Sequence, residues 1–152
     1  MSLRDRITED VKQAMRAGDK LRLKTLRMVT AAFKQREVDE RQPVDEAGAL
    51  AIIEKMIKQR RESAEQYRAG HRPELAEAEE AEIVILQSYL PEPFSEAELD
   101  QVIDQAIEES GATDISGMGP VMALVKDRAQ GRAEMRHVSG RVRARLSGKS
   151  PG

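Results

Sequence analysis

The chain has no cysteine and no tryptophan, and its 152 residues include only two tyrosines and two phenylalanines. Without thiols there is no disulfide framework, no thiolate nucleophile and no zinc-thiolate centre, so a disulfide-stapled scaffold is excluded. The scarcity of aromatics removes the stacking platforms on which unpaired bases are usually held. It also requires a core built from aliphatic side chains and methionine. No stretch approaches the roughly 20 apolar residues of a membrane span. The first residues, with Arg4, Asp5, Arg6, Glu9 and Asp10, lack the apolar segment of a signal peptide. These absences predict a cytoplasmic protein with no membrane partner.

Catalytic and ligand-binding signatures are missing as well. The two histidines, His71 and His137, belong to no spaced ligand set, so no metal is expected. The serines fall at helix caps and chain ends, with no nucleophile and base pattern, so no catalytic residue and no cofactor is assigned. Gly117-x-Gly119 begins like a dinucleotide loop, but Met122 stands where the third glycine belongs and Pro120 intrudes. Gly148-Lys149-Ser150 imitates the end of a phosphate loop, yet Arg143 occupies the first glycine position.

What the chain has in abundance is charge, unevenly spread. Residues 73 to 110 contain twelve acids and no Lys or Arg, whereas residues 111 to 152 contain eight Lys or Arg against three acids. Residues 1 to 72 carry 17 basic and 12 acidic groups. A net charge of −2 therefore conceals basic ends around an acidic middle, a pattern that favours a polyanionic partner. The acidic block would repel RNA and confine such contact to the two ends.

Helical periodicity runs through nearly the whole length, with no sustained strand alternation, so the fold class is all-α. At 152 residues folding buries roughly 70% of the unfolded surface, enough for a real core. Ser2 caps a first helix with Leu3, Ile7, Val11, Ala14 and Met15 inward, and Gly18 ends it. Asp19 starts a second, with Leu23, Leu26, Met28, Val29, Ala32 and Phe33 inward, which fades before Pro43. A third follows Asp45 through Leu50, Ile53, Met56, Ile57 and Ala64 to Gly70. A fourth runs from Pro73 to Leu90 with Leu75, Ala78, Ala81 or Glu82, Ile85, Leu86 and Tyr89 on one side. Short connections predict an N-terminal bundle of antiparallel helices over residues 1–90. Arg27 lies beside the apolar stripe, where it could pair with an acid, and the methionines are read as core filler.

Pro91 and Pro93 make residues 91–94 a linker. Ser95 and Glu98 then form a capping box before Leu99, Val102, Ile103, Ala106 and Ile107, and Gly111 ends that helix. Pro120 opens the next helix, with Val121, Leu124 and Val125 inward and Gly131 as a left-handed stop. Val138, Val142 and Leu146 give the last helix its stripe, and Ser147 to Gly152 is a loose end. Residues 95–152 are thus expected to form a small three-helix domain.

Met118-Gly119-x-Val121-Met122, followed by Gly131-Arg132-Ala133 and by Val138-Ser139 with Val142 and Leu146, resembles the GatB/YqeY family. Leu26-Arg27-Met28 with Ala31-Ala32, Gln59-Arg60-Arg61-Glu62-Ser63, and Tyr89-Leu90-Pro91 are similar to stand-alone YqeY-like proteins. GatB is the tRNA-binding subunit of the amidotransferase that converts mischarged Glu-tRNA(Gln) or Asp-tRNA(Asn), and a similar helical tail reaches toward the tRNA body there. The resemblance implies tRNA contact and a link to carbon-nitrogen ligase chemistry with glutamine as amido-N-donor, whose catalytic pockets lie outside this tail. Three departures stand out. Glu134 and Met135 follow the Gly-Arg-Ala turn where the family usually has Asp and Gly, and Pro120 replaces a commonly basic residue.

The expectation is a tRNA-binding accessory protein, not an enzyme by itself, that serves a tRNA-dependent enzyme. Phosphates of tRNA or another folded RNA would meet Lys126, Arg128, Arg132, Arg136, Arg141, Arg143 and Arg145, with Arg132 foremost because a turn fixes it. The alternative is a protein-interaction adaptor that uses the acidic middle helix or an apolar groove without touching RNA.

Overall fold

A computed structural model describes residues 1–148. It is all-α, with seven α-helices and no strand among the described residues. They gather into two compact units, Met1–Leu90 and the residues from Pro91 onward. No helix among the described residues is long and apolar enough to cross a membrane. The lysine of the phosphate-loop imitation and the end of the chain from residue 149 lie outside the described residues. Ser147, expected in the loose end, is still helical.

In the first unit, α1 (Leu3–Ala17) begins where the Ser2 hydroxyl accepts the Asp5 N–H and ends where Gly18 takes a left-handed φ of 69°. Helix α2 (Lys20–Glu40) starts at Asp19 and stops at Arg41, which adopts the left-handed conformation itself at φ 55°. Asp45 caps α3 (Glu46–Ala69), and Pro73 opens α4 (Pro73–Gln87), where its missing N–H costs nothing. The buried core joins Leu3 and Ile7 to Leu26, Val29 and Phe33, then to Ile53, Ile57, Leu86 and Tyr89.

Four sequence readings change here. Helix α4 ends at Gln87, so Tyr89 enters the core from the turn beyond it. Ala76 is buried and Ala78 exposed, because the helix presents a face rotated from the one expected. Met15 and Met28 are not core filler: 55% and 40% of their surfaces remain exposed. The basic residue that sinks into this unit is Arg60, with 7% of its surface exposed, whereas Arg27 stays outside.

In the second unit the Ser95–Glu98 capping box opens α5 (Glu96–Ser110), and Gly111 ends it at φ 73°. A 3-10 turn, Ile115–Gly117, follows Asp114, whose carboxylate accepts the Ser116 N–H. It leads directly into α6 (Met118–Ala129), two residues ahead of Pro120. Gly131, at φ 78°, reverses the chain, and α7 (Met135–Ser147) follows. Leu99, Ile103 and Ala106 pack with Val121, Val125 and Ala129 and with Val138, Val142 and Leu146.

Candidate nucleic-acid interface

With 3.6 residues per turn, side chains four apart share a face of a helix. On α7 this rule creates three separate sides. Val138, Val142 and Leu146 are the buried one. His137, Arg141 and Arg145 form the second, facing Glu96, Asp100 and Asp104 of α5. Each of these contacts spans 41 residues of sequence, so α5 and α7 run in the same direction along the ladder. Arg141 also reaches Glu96 at 2.9 Å. The hydrogen bond from Arg141 holds the Asp100 carboxyl below the usual carboxylate range, against the opposing effect of desolvation.

The third side of α7 carries Arg136, Gly140 and Arg143. Both arginines are exposed, and neither side chain enters an ion pair or a hydrogen bond among the described residues, although the Arg143 carbonyl accepts the Ser147 hydroxyl at 2.8 Å.

Helix α6 is divided in the same way. Val121, Val125 and Ala129 are buried. Arg128 turns to α5, where its two terminal nitrogens chelate Glu109 at 2.7 Å each and hold that carboxyl low. Gly119 and Lys126, seven residues apart, lie on the opposite flank, and both are exposed. On both helices the side paired with α5 lies to one flank of the buried stripe and the unpaired cation to the other. The unpaired flanks therefore border the seam where α6 and α7 pack together. Met122 and Ser139, half-buried, sit along that seam. Lys126, Arg136 and Arg143 thus come to one surface, and no acid shares their stripes.

Arg132, foremost in the sequence reading, has a different position. Its Nε donates to the Glu92 carbonyl at 2.8 Å, and its guanidinium lies 3.8 Å from the centre of the Phe94 ring. The Phe94 N–H donates in turn to the Arg132 carbonyl at 2.9 Å. The residue fastens the segment before α5 to the turn before α7. Of the seven cations singled out from sequence, Arg128, Arg132, Arg141 and Arg145 are engaged within the unit, and Lys126, Arg136 and Arg143 face outward.

Sequence reasoning missed two polar clusters in the first unit. Arg60 and Glu82 are both buried, with Arg60 Nε 3.7 Å from Glu82 Oε2 and Lys24 Nζ 4.0 Å from Glu82 Oε1. Arg60 Nε and Glu82 Oε1 make no hydrogen bond there. In the second cluster the Tyr89 hydroxyl donates to Asp10 at 2.6 Å and accepts from Arg22 at 2.7 Å. Burial and the Asp10 bond raise the phenol above its ordinary value.

The comparisons with known proteins agree with the motifs. The sequence model of the family described as Yqey-like protein matches residues 4–146. Similar proteins include "Altered inheritance of mitochondria protein 41, mitochondrial" of Lachancea thermotolerans, 35% identical over 68% of this chain and 57% of that one. The protein of the same name in Pyrenophora tritici-repentis is 32% identical over 82% of this chain and 71% of its own length. In Saccharomyces cerevisiae the identity is 30%, over 66% of this chain and 54% of the relative. This chain thus spans about half to seven tenths of these relatives. The expectation of a cytoplasmic location is corrected by these matches, since the relatives are named as mitochondrial. Lack of cysteine, on which that expectation leaned, suits any thiol-reducing compartment. The chain belongs to the Yqey-like family.

Proposed function

We propose that this member of the Yqey-like family is an accessory protein that binds folded RNA, tRNA foremost, through the outer surface of α6 and α7. The observation that carries the reading is the convergence of Lys126, Arg136 and Arg143, unpaired, on one surface while the other α6 and α7 arginines are neutralised by α5. A cation without an internal partner is free to replace the condensed counterions of a phosphate, which gives affinity with little sequence preference. Base stacking has no part in it, because Phe94 is covered by Arg132 and no other aromatic belongs to this unit. Arg128, Arg132, Arg141 and Arg145 contribute by fixing the helices that present the three.

On this reading residues 1–90 form an antiparallel bundle, 91–94 a linker and 95–152 a three-helix RNA-binding domain. The likeness to the GatB tail ties it to a tRNA-dependent enzyme and to carbon-nitrogen ligase chemistry with glutamine as amido-N-donor, performed by that partner.

The experiment is fluorescence anisotropy of purified protein with a folded tRNA and with a structureless RNA of equal length, at low and near-physiological salt. Saturable binding that prefers the tRNA and weakens with salt is expected. Equal affinity for both RNAs, or no saturation, would contradict the reading. A second reading, as an adaptor for a basic protein, draws on α4, where Val84 is 70% exposed beside the exposed Glu77, although Arg72 and Arg68 already pair with Glu74 and Glu80. Capture of a partner through α4 that survives ribonuclease would favour it.

A further inference from the structure

We propose that Gly140 is a point of contact where the sugar-phosphate strand of base-paired RNA lies directly against the α7 backbone, between Arg136 and Arg143. This deepens the RNA-binding reading and rests on it. Gly140 is the sixth of the thirteen residues of α7, where glycine weakens a helix relative to alanine by leaving the unfolded chain more freedom. Among the described residues nothing requires it. Its φ is not left-handed, and a Cβ at this position would meet no atom within 4 Å among them beyond its chain neighbours and its own helix backbone. Both common internal reasons for a helical glycine, a special backbone angle and close packing, are therefore absent.

The exposed surroundings supply a reason outside the chain. Arg136 lies four residues before Gly140 and Arg143 three residues after it, which sets their Cα atoms about 10 Å apart along the axis on one face. Backbone approach without a Cβ brings a strand within reach of both. Gly119 repeats the arrangement on α6, exposed, open to a Cβ and on the same face as Lys126. With no acid and no aromatic on these stripes, the face suits the phosphates and ribose of a double helix, not splayed bases.

The test uses the full chain, an RNA hairpin of about 16 base pairs and, as a second polyanion, poly-glutamate. Gly140→Ala is expected to raise the urea midpoint while weakening hairpin binding roughly threefold or more. Gly140→Gln is expected to weaken it about tenfold with the fold intact, and Ala97→Gln on α5 to change nothing. A lower urea midpoint for Gly140→Ala would overturn the inference, since the site would then be packed. So would hairpin binding by Gly140→Gln equal to that of the unaltered protein. If Arg136→Ala/Arg143→Ala still weakens binding in that case, the RNA reading survives and only the glycine contact fails. If that variant also binds normally, or if poly-glutamate competes as well as the hairpin, the RNA reading falls too.

Discussion

Glu82 sits in a site where only 7% of its surface is exposed, and its nearest cation, Arg60 Nε, stands 3.7 Å away, beyond hydrogen-bond reach. Desolvation of such a pair consumes much of its Coulomb attraction, so the pair adds little net stability while its rupture is costly. Glu82→Ala is expected to destabilise the first unit by about 3 kcal/mol, because Arg60 would be left buried and unpaired. The double replacement Arg60→Met/Glu82→Leu should recover most of that loss in urea unfolding. Equal destabilisation by the single and double variants would show that shape, not charge, governs the site. The sequence left Ala81 or Glu82 open as the inward residue. Periodicity alone could not choose, because an acid enters a core only when a cation from another helix accompanies it, and Arg60 is 22 positions earlier.

At the scale of elements, helix ends were the most legible part of the chain. Ser2, Asp19, Asp45 and the Ser95–Glu98 box all cap as their side-chain chemistry dictates, and Gly18, Gly111 and Gly131 all take the left-handed conformation. These are local decisions made within four residues. The α5–α7 ladder was also written in the sequence, as acids at 96, 100 and 104 and His137, Arg141 and Arg145 at the same spacing. Reading it required the knowledge that the two helices lie side by side.

The ladder has a pH signature. The folded-state pKa of Asp100 is depressed, so its pairing contributes stability that is present above the ordinary carboxylate value of about 4. That stability is lost as pH falls through the lower folded value. Asp100→Asn should therefore lower the urea midpoint at pH 7 and shrink the difference between pH 7 and pH 3. An unchanged pH dependence would mean that the pair contributes nothing to folding.

For the molecule as a whole, charge counted along the chain was misleading. It set an acidic block against a basic tail, whereas folding lays the second half of that block, α5, against the arginines of the tail. In the second unit, what remains for a polyanion is the small set of cations that α5 leaves alone. Family membership was legible from short motifs spread over nearly the whole length. The location was not, since composition records thiol chemistry and not address.

The central claim is that unpaired and paired arginines differ in kind, and one measurement separates them directly. The salt dependence of tRNA affinity would be compared for the unaltered protein, for Lys126→Ala/Arg136→Ala/Arg143→Ala and for Arg128→Ala/Arg141→Ala/Arg145→Ala. Each lost phosphate contact removes close to one unit of the log–log salt slope, so the first variant should lose roughly 2 to 3 and bind at least about tenfold more weakly. The second should keep most of its slope and show its damage as a lower urea midpoint. The reverse pattern, or equal loss of slope in both, would contradict the account.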